Sequence, residues 1–229
     1  MSIKTILWLI LSLCVVSCAM HTPYHDLGIE DQDEALQGTP KQLYAMGNRY
    51  AKGIGVTQNY HKAAQYYAAS AHQGDAKAQF SLGYLYRTGR GVPRNYNLAA
   101  QWFEKAAQQG NSDAQYSLGV RYLLGQGTPQ NYGQAWVWFQ QAAEQSNPYA
   151  ENQLGYMYAT GKSVPQDFAL SLQWYQKAAN HGLASAQYNL GLMYANGMGT
   201  PVDKAKAREL FRQAADRGFS PARNALMHY

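Results

Sequence analysis

Sulfur and imidazole are the first places to look for chemistry in this chain. Its two cysteines, Cys14 and Cys18, both lie within the first twenty residues. A thiol there could be acylated, but nothing further along offers a disulfide or a thiolate metal site. The six histidines are His21, His25, His61, His72, His181 and His228. His21 and His25 have the spacing of two ligands on one helical face, with no third ligand nearby. The other four are far apart and share no spacing. No His-Glu-x-x-His, phosphate-loop or nucleophile-elbow motif occurs, and no Ser-x-x-Lys. The expectation is a chain with no catalytic residue, no metal and no cofactor.

Cys18 ends an apolar run. Lys4 supplies a positive start, and Ile6 to Val16 is broken only by Ser12. At ~1.5 Å per residue this run falls short of a hydrocarbon core of about 30 Å. It has the length of a signal h-region. Val15-Val16-Ser17-Cys18 resembles the bacterial lipobox. That resemblance implies a signal peptide over residues 1–17, cleavage before Cys18, and lipid on its sulfur. Ser17-Cys18-Ala19 also reads as an ordinary small-x-small secretory cleavage site. In proteins of the lipobox type, a second mature residue other than Asp, here Ala19, implies the outer membrane, facing the periplasm. Several acyl chains are expected to hold the protein there, because one alone binds weakly. Residues 18–38 then read as an acidic tether. From His21 to Gly38 they carry Asp26, Glu30, Asp31, Asp33 and Glu34, with no Lys or Arg.

Beyond the tether the chain is periodic. Met46-Gly47, Leu82-Gly83, Leu118-Gly119, Leu154-Gly155 and Leu190-Gly191 place successive glycines 36 residues apart. Three residues beyond each stands a tyrosine: Tyr50, Tyr86, Tyr122, Tyr158 and Tyr194. Three further on comes another glycine, and Gly-x-Gly recurs in four of the five units. Its recurrence marks turn chemistry rather than a phosphate cradle. The second half of each unit repeats an aromatic at Tyr67, Phe103, Phe139, Tyr175 and Phe211, then a pair of small residues. Ala78, Leu82 and Tyr86 form one helical stripe, and Ala99, Phe103 and Ala106 a second. Glycine ends the first helix and Pro93 suits the loop between them. A glycine inside each first helix costs ~1 kcal/mol against alanine, so its recurrence predicts close helix contact there.

This unit resembles the Sel1-like repeat, a relative of the tetratricopeptide repeat. The shared pattern is Ala-x3-Leu-Gly-x2-Tyr-x2-Gly-x-Gly, a Pro-containing turn, then Ala-x2-Trp-aromatic-x2-Ala-Ala-x2-Gly. The resemblance implies an all-α fold, a right-handed α/α solenoid over residues 39–229. Its units are expected at about 39–74, 75–110, 111–146, 147–182 and 183–218, with a capping helix over 219–229. Departures gather at the third and fourth units: Ser146-Asn147-Pro148 at a junction, Ser163 for the second turn glycine, and Ser171-Leu172 at a helix start. Altered curvature is expected there.

In this family the first helices line the concave side. The residues expected to face that groove are Gln79, Gln115, Glu151 and Gln187, four before the glycine, with Tyr84 and Tyr156 one after it and Arg121 two after it. Tyr and Arg are favoured at binding hot spots. From Thr39 onward 18 Lys and Arg face 9 Asp and Glu, so acidic partners are preferred. The cations are scattered singly, which argues against nucleic acid. Two function classes fit. One is a non-catalytic protein-protein interaction scaffold or adaptor tethered to the bacterial cell envelope, or a surface factor contacting a host protein. The other is a module bound to peptidoglycan or another polysaccharide.

Overall fold

The computed structural model describes residues 36–228; the signal segment, Cys18 and the tether through residue 35 lie outside the described residues. Among the described residues there are eleven helices and no strand. Five first helices, α1 (Pro40–Lys52), α3 (Ala76–Thr88), α5 (Ser112–Leu124), α7 (Pro148–Thr160) and α9 (Ala184–Asn196), alternate with five second helices. The second helices are α2 (Tyr60–His72), α4 (Tyr96–Gln108), α6 (Tyr132–Glu144), α8 (Phe168–Asn180) and α10 (Lys204–Asp216). All ten are 13 residues long. The short α11 (Ser220–Leu226) covers the end of the stack. It stops before the chain end, so the capping helix is shorter than the sequence suggested.

Each boundary has a local cause. Thr39, Asp75, Asn111 and Asn147 accept a hydrogen bond from the third amide of α1, α3, α5 and α7. Asn59, Asn95, Asn131, Asp167 and Asp203 do the same for the second helices. Each such cap contributes about 1 kcal/mol. Leu183 begins α9 without a side-chain cap. Every first helix ends on a left-handed glycine, φ 65 to 71°, whose amide returns to the carbonyl four residues back.

Helices pack chiefly on their chain neighbours, which makes the core a row of similar compartments. In each, the helix glycine meets the aromatic of the following helix: Gly47 with Tyr67, Gly83 with Phe103, Gly155 with Tyr175, Gly191 with Phe211. The predicted stripes are both buried, with Ala78, Leu82, Tyr86, Ala99, Phe103 and Ala106 all at 2% exposure or less.

Candidate partner-binding face

The face of the first helices carries a row of aromatic rings that the sequence reading passed over. Three residues before the helix glycine stand Tyr44, Phe80, Tyr116 and Tyr188. Each tilts over the aromatic of the next helix: Tyr44–Tyr67 at 5.8 Å, Phe80–Phe103 at 5.7 Å, Tyr116–Phe139 at 5.9 Å and Tyr188–Phe211 at 5.7 Å. The signal was available, since four of five units put Phe or Tyr at that register. The fourth unit has Asn152 instead, and Asn189 of the fifth donates to its Oδ1 at 3.1 Å. Similar polar links join Tyr116 to Gln153 and Tyr67 to Ser81 across units. Burial pushes the Tyr67 phenol up to about 12, and its hydroxyl donates to Asn48 Oδ1 at 2.8 Å.

The seven residues assigned to the groove divide into two sets. Tyr84 and Tyr156 are half-buried on this face. Arg87 lies over the Tyr84 ring at 4.7 Å. Lys162 donates to the Tyr156 hydroxyl at 3.0 Å, and that bond is the chief reason its ammonium is held above the usual lysine range. The other five, by contrast, do not stand open to solvent. Gln79, Gln115 and Arg121 are each 5% exposed, Gln187 4% and Glu151 3%.

The glutamines are withdrawn because they have work between helices. Gln79 Nε2 donates to the Ala71 carbonyl in the last turn of α2, at 3.1 Å, and Gln115 Nε2 to Ala107 in the last turn of α4, at 3.3 Å. Those carbonyls belong to helix ends that lack intrahelical donors. Gln109 then donates to Gln79 Oε1 at 2.7 Å, and Gln145 to Gln115 Oε1 at 2.8 Å. One buried amide therefore ties the end of the preceding unit to the end of its own. A side chain satisfied this way belongs inside. Gln187 donates to Gln213 at 3.3 Å and lines an open cleft of about 300 Å³ with Gln213, Asp216 and Arg217.

Glu151 is the ionisable version of the same tie. His181 stands at the position of Gln109 and Gln145, with Nε2 at 3.7 Å from Glu151 Oε2, which accepts no hydrogen bond. Burial raises the Glu151 carboxyl above the usual range, and His181 and Lys177 draw it partly back. Arg121 is the other buried charge. Its Nη1 donates to Gln126 Oε1 at 2.8 Å and its guanidinium lies 5.5 Å from the Tyr96 ring centre.

Among the described residues no group of three or more His, Cys, Asp or Glu could hold a metal, and no helix is long and apolar enough to cross a membrane. Known structures share this architecture. A Sel1 repeat protein from Oxalobacter formigenes superposes with a TM-score of 0.80 at 35% identity, over 82% of this chain and 75% of its own. A protective antigen present in uropathogenic Escherichia coli strains, displaying an SLR fold, gives 0.76 at 40% identity over 82% of this chain. The chain spans only 40% of that antigen's length. An immunity protein of Pseudomonas aeruginosa shares the fold at 24% identity, with a TM-score of 0.53, over 84% of this chain and 71% of its own. Among curated proteins none matches the sequence. The Sel1 repeat profile matches residues 43–75, 76–111, 112–147, 148–183 and 184–219. With five consecutive repeats over most of its length, the chain belongs to the Sel1 repeat family.

Proposed function

We propose that the protein is a non-catalytic adaptor held at the bacterial cell envelope through Cys18, with a partner protein seated along the concave face of its first helices. Sel1 repeat proteins generally act as protein-interaction scaffolds. The observation that carries the reading is the face itself. It presents half-buried Tyr84, Tyr116 and Tyr156 with cations beside them. Large rigid rings beside cationic groups supply contact area at little entropic expense. Phe80 and Tyr116 on the same face lean on Phe103 and Phe139 of the second helices rather than standing free, which suits a shaped protein surface better than a platform for sugar rings.

The test is brief cross-linking in intact cells, gentle solubilisation and identification of what is recovered with the full chain. Tyr84→Ala and Tyr156→Ala serve as controls. A stoichiometric protein lost in both variants supports the adaptor. Recovery of peptidoglycan fragments with no protein overturns it in favour of a glycan-binding module. For the anchor, Cys18→Ala should move the protein from the membrane to the soluble fraction; retention in the membrane overturns lipid attachment at that sulfur.

A further inference from the structure

Two residues after the helix glycine, units two, four and five place Leu85, Met157 and Met193, all buried. The third unit places Arg121 there, 5% exposed. An apolar side chain does the packing at this register in units two, four and five. The first unit, at the end of the stack, has Arg49 there, exposed and donating to the Ile54 carbonyl, so the fold itself does not require a buried cation. Nor is this one balanced. Its Nε has no acceptor, and Gln126 Oε1, at 2.8 Å, is a neutral partner. Among the described residues no carboxylate pairs with it. The charge that bears on it is another cation: burial first, and then Arg87, draw the Arg121 guanidinium below its usual range. Arg94 adds a further positive charge, lying 5.5 Å from the same Tyr96 ring that Arg121 faces. Tyr116 lies within the field of both Arg87 and Arg121, and Tyr84 stacks under Arg87.

A buried charge without a counter-ion is destabilising, and the fork of a guanidinium fits a carboxylate's two oxygens. The missing component is an acid. We propose that Arg121 and Arg87, walled by Tyr84, Tyr96 and Tyr116, form a subsite for an Asp or Glu side chain of an acidic segment in the partner protein. This rests on the adaptor reading and gives its partner a chemistry. The excess of 18 Lys and Arg over 9 Asp and Glu from Thr39 onward draws such a segment in. The arginine pair then fixes where it lies.

The experiment titrates the full chain, in detergent at low ionic strength, into a fluorescein-labelled hexaglutamate peptide and reads anisotropy. Arg121→Met installs the residue that the fourth and fifth units carry at this register, so the melting temperature should hold or rise. Its affinity should fall about tenfold or more, as should that of Arg87→Gln. Arg212→Gln, on exposed α10 surface, should leave affinity within about twofold. Unchanged binding in Arg121→Met overturns the subsite. So does an equal loss in Arg212→Gln, which means diffuse attraction, or equal displacement of the peptide by a sulfated polysaccharide, which means a reader of polyanions. If Arg121→Met melts early, Arg87→Gln, at a half-buried position outside the core, decides the matter alone. Capture of the cellular partner separates the two readings. A partner still recovered by Arg121→Met sinks the subsite and leaves the adaptor. Hexaglutamate binding lost in Arg121→Met, with no cellular partner recovered, leaves the subsite and sinks the adaptor.

Discussion

A Cβ placed on Gly119 would stand 2.6 Å from Phe139 Cε1, with the Ala135 carbonyl oxygen at 3.2 Å. The ring occupies the space a methyl group needs, and backbone closes the other side. Gly119→Ala should therefore cost about 1–3 kcal/mol, as overpacking does, and Gly119→Leu should prevent a cooperative transition. Truncating the neighbouring side chain in Leu118→Ala should cost roughly 2–5 kcal/mol. Combining Gly119→Ala with Phe139→Leu should recover part of the first loss, because the two sites share one space. Thermal and urea melts read all four. A Gly119→Ala protein as stable as the parent would show that the helices can part at no expense.

Glu151 supplies a pH signature. Burial raises its carboxyl in the folded protein, so the native state holds that proton more tightly than the unfolded chain does. Stability from this site is thus fully present below the unfolded carboxylate range and is lost as pH rises through the raised native value. Lys177 and His181, the charges that face it, soften the loss without abolishing it. Glu151→Gln installs the amide found at Gln79, Gln115 and Gln187. It should raise stability at neutral pH by on the order of 1 kcal/mol. The gap between variant and parent melting temperatures should shrink toward acid pH. A gap that is constant with pH would mean the carboxyl is unperturbed.

Most of the fold is legible in the sequence because it is built from one period. The register of Gly83 with Phe103 needs no long-range inference: both recur every 36 residues. The candidate face was harder to read. Helical spacing puts Gln79 near solvent, but it cannot show that the Ala71 carbonyl at the end of α2 comes within 3.1 Å of it. That approach depends on how one unit stacks on the next, which no residue of a single unit encodes. Arg121 misled for the same reason. A cation reads as surface until its register is compared with Leu85, Met157 and Met193, which are core.

Ser163 marks a place where the repeat departs from its own rule. In units two, three and five the second turn glycine lies against the start of the preceding second helix. A Cβ on Gly127 would stand within contact of the Tyr96 carbonyl, and one on Gly199 at 2.4 Å from that of Phe168. Ser163 carries a side chain here at φ 68°, and the helix opposite has Gly133, where a Cβ would stand 3.7 Å from Ser163 Oγ. Gly133 thus leaves room for the Ser163 side chain, and the fourth turn keeps its left-handed backbone without glycine. Ser163→Gly should stabilise by about 1 kcal/mol, the penalty of a left-handed L-residue. Ser146→Gly, at φ 59°, should do the same. Raised urea midpoints at unchanged slope are the expected result, and a lowered midpoint would mean that the serine hydroxyls hold these turns.

The pair Gln115 and Gln145 separates structure from binding. If the buried amide is a tie between units, Gln115→Ala removes the acceptor of Gln145 and the second donor of the Ala107 carbonyl at once, leaving that carbonyl only the Gly110 N–H. It should then cost about 1–3 kcal/mol. Gln145→Ala removes one hydrogen bond at the exposed end and should cost about 1 kcal/mol or less. The double variant should cost less than the sum, with a coupling of about 0.5 kcal/mol or more. Partner capture should follow the folded fraction and nothing else, because both ends of the Gln115 amide are already engaged within the fold, by the Ala107 carbonyl and by Gln145. Loss of capture in a Gln115→Ala protein that melts like the parent would reverse this. It would mean that the α5 glutamine turns outward when the partner arrives and that the buried tie is its resting state.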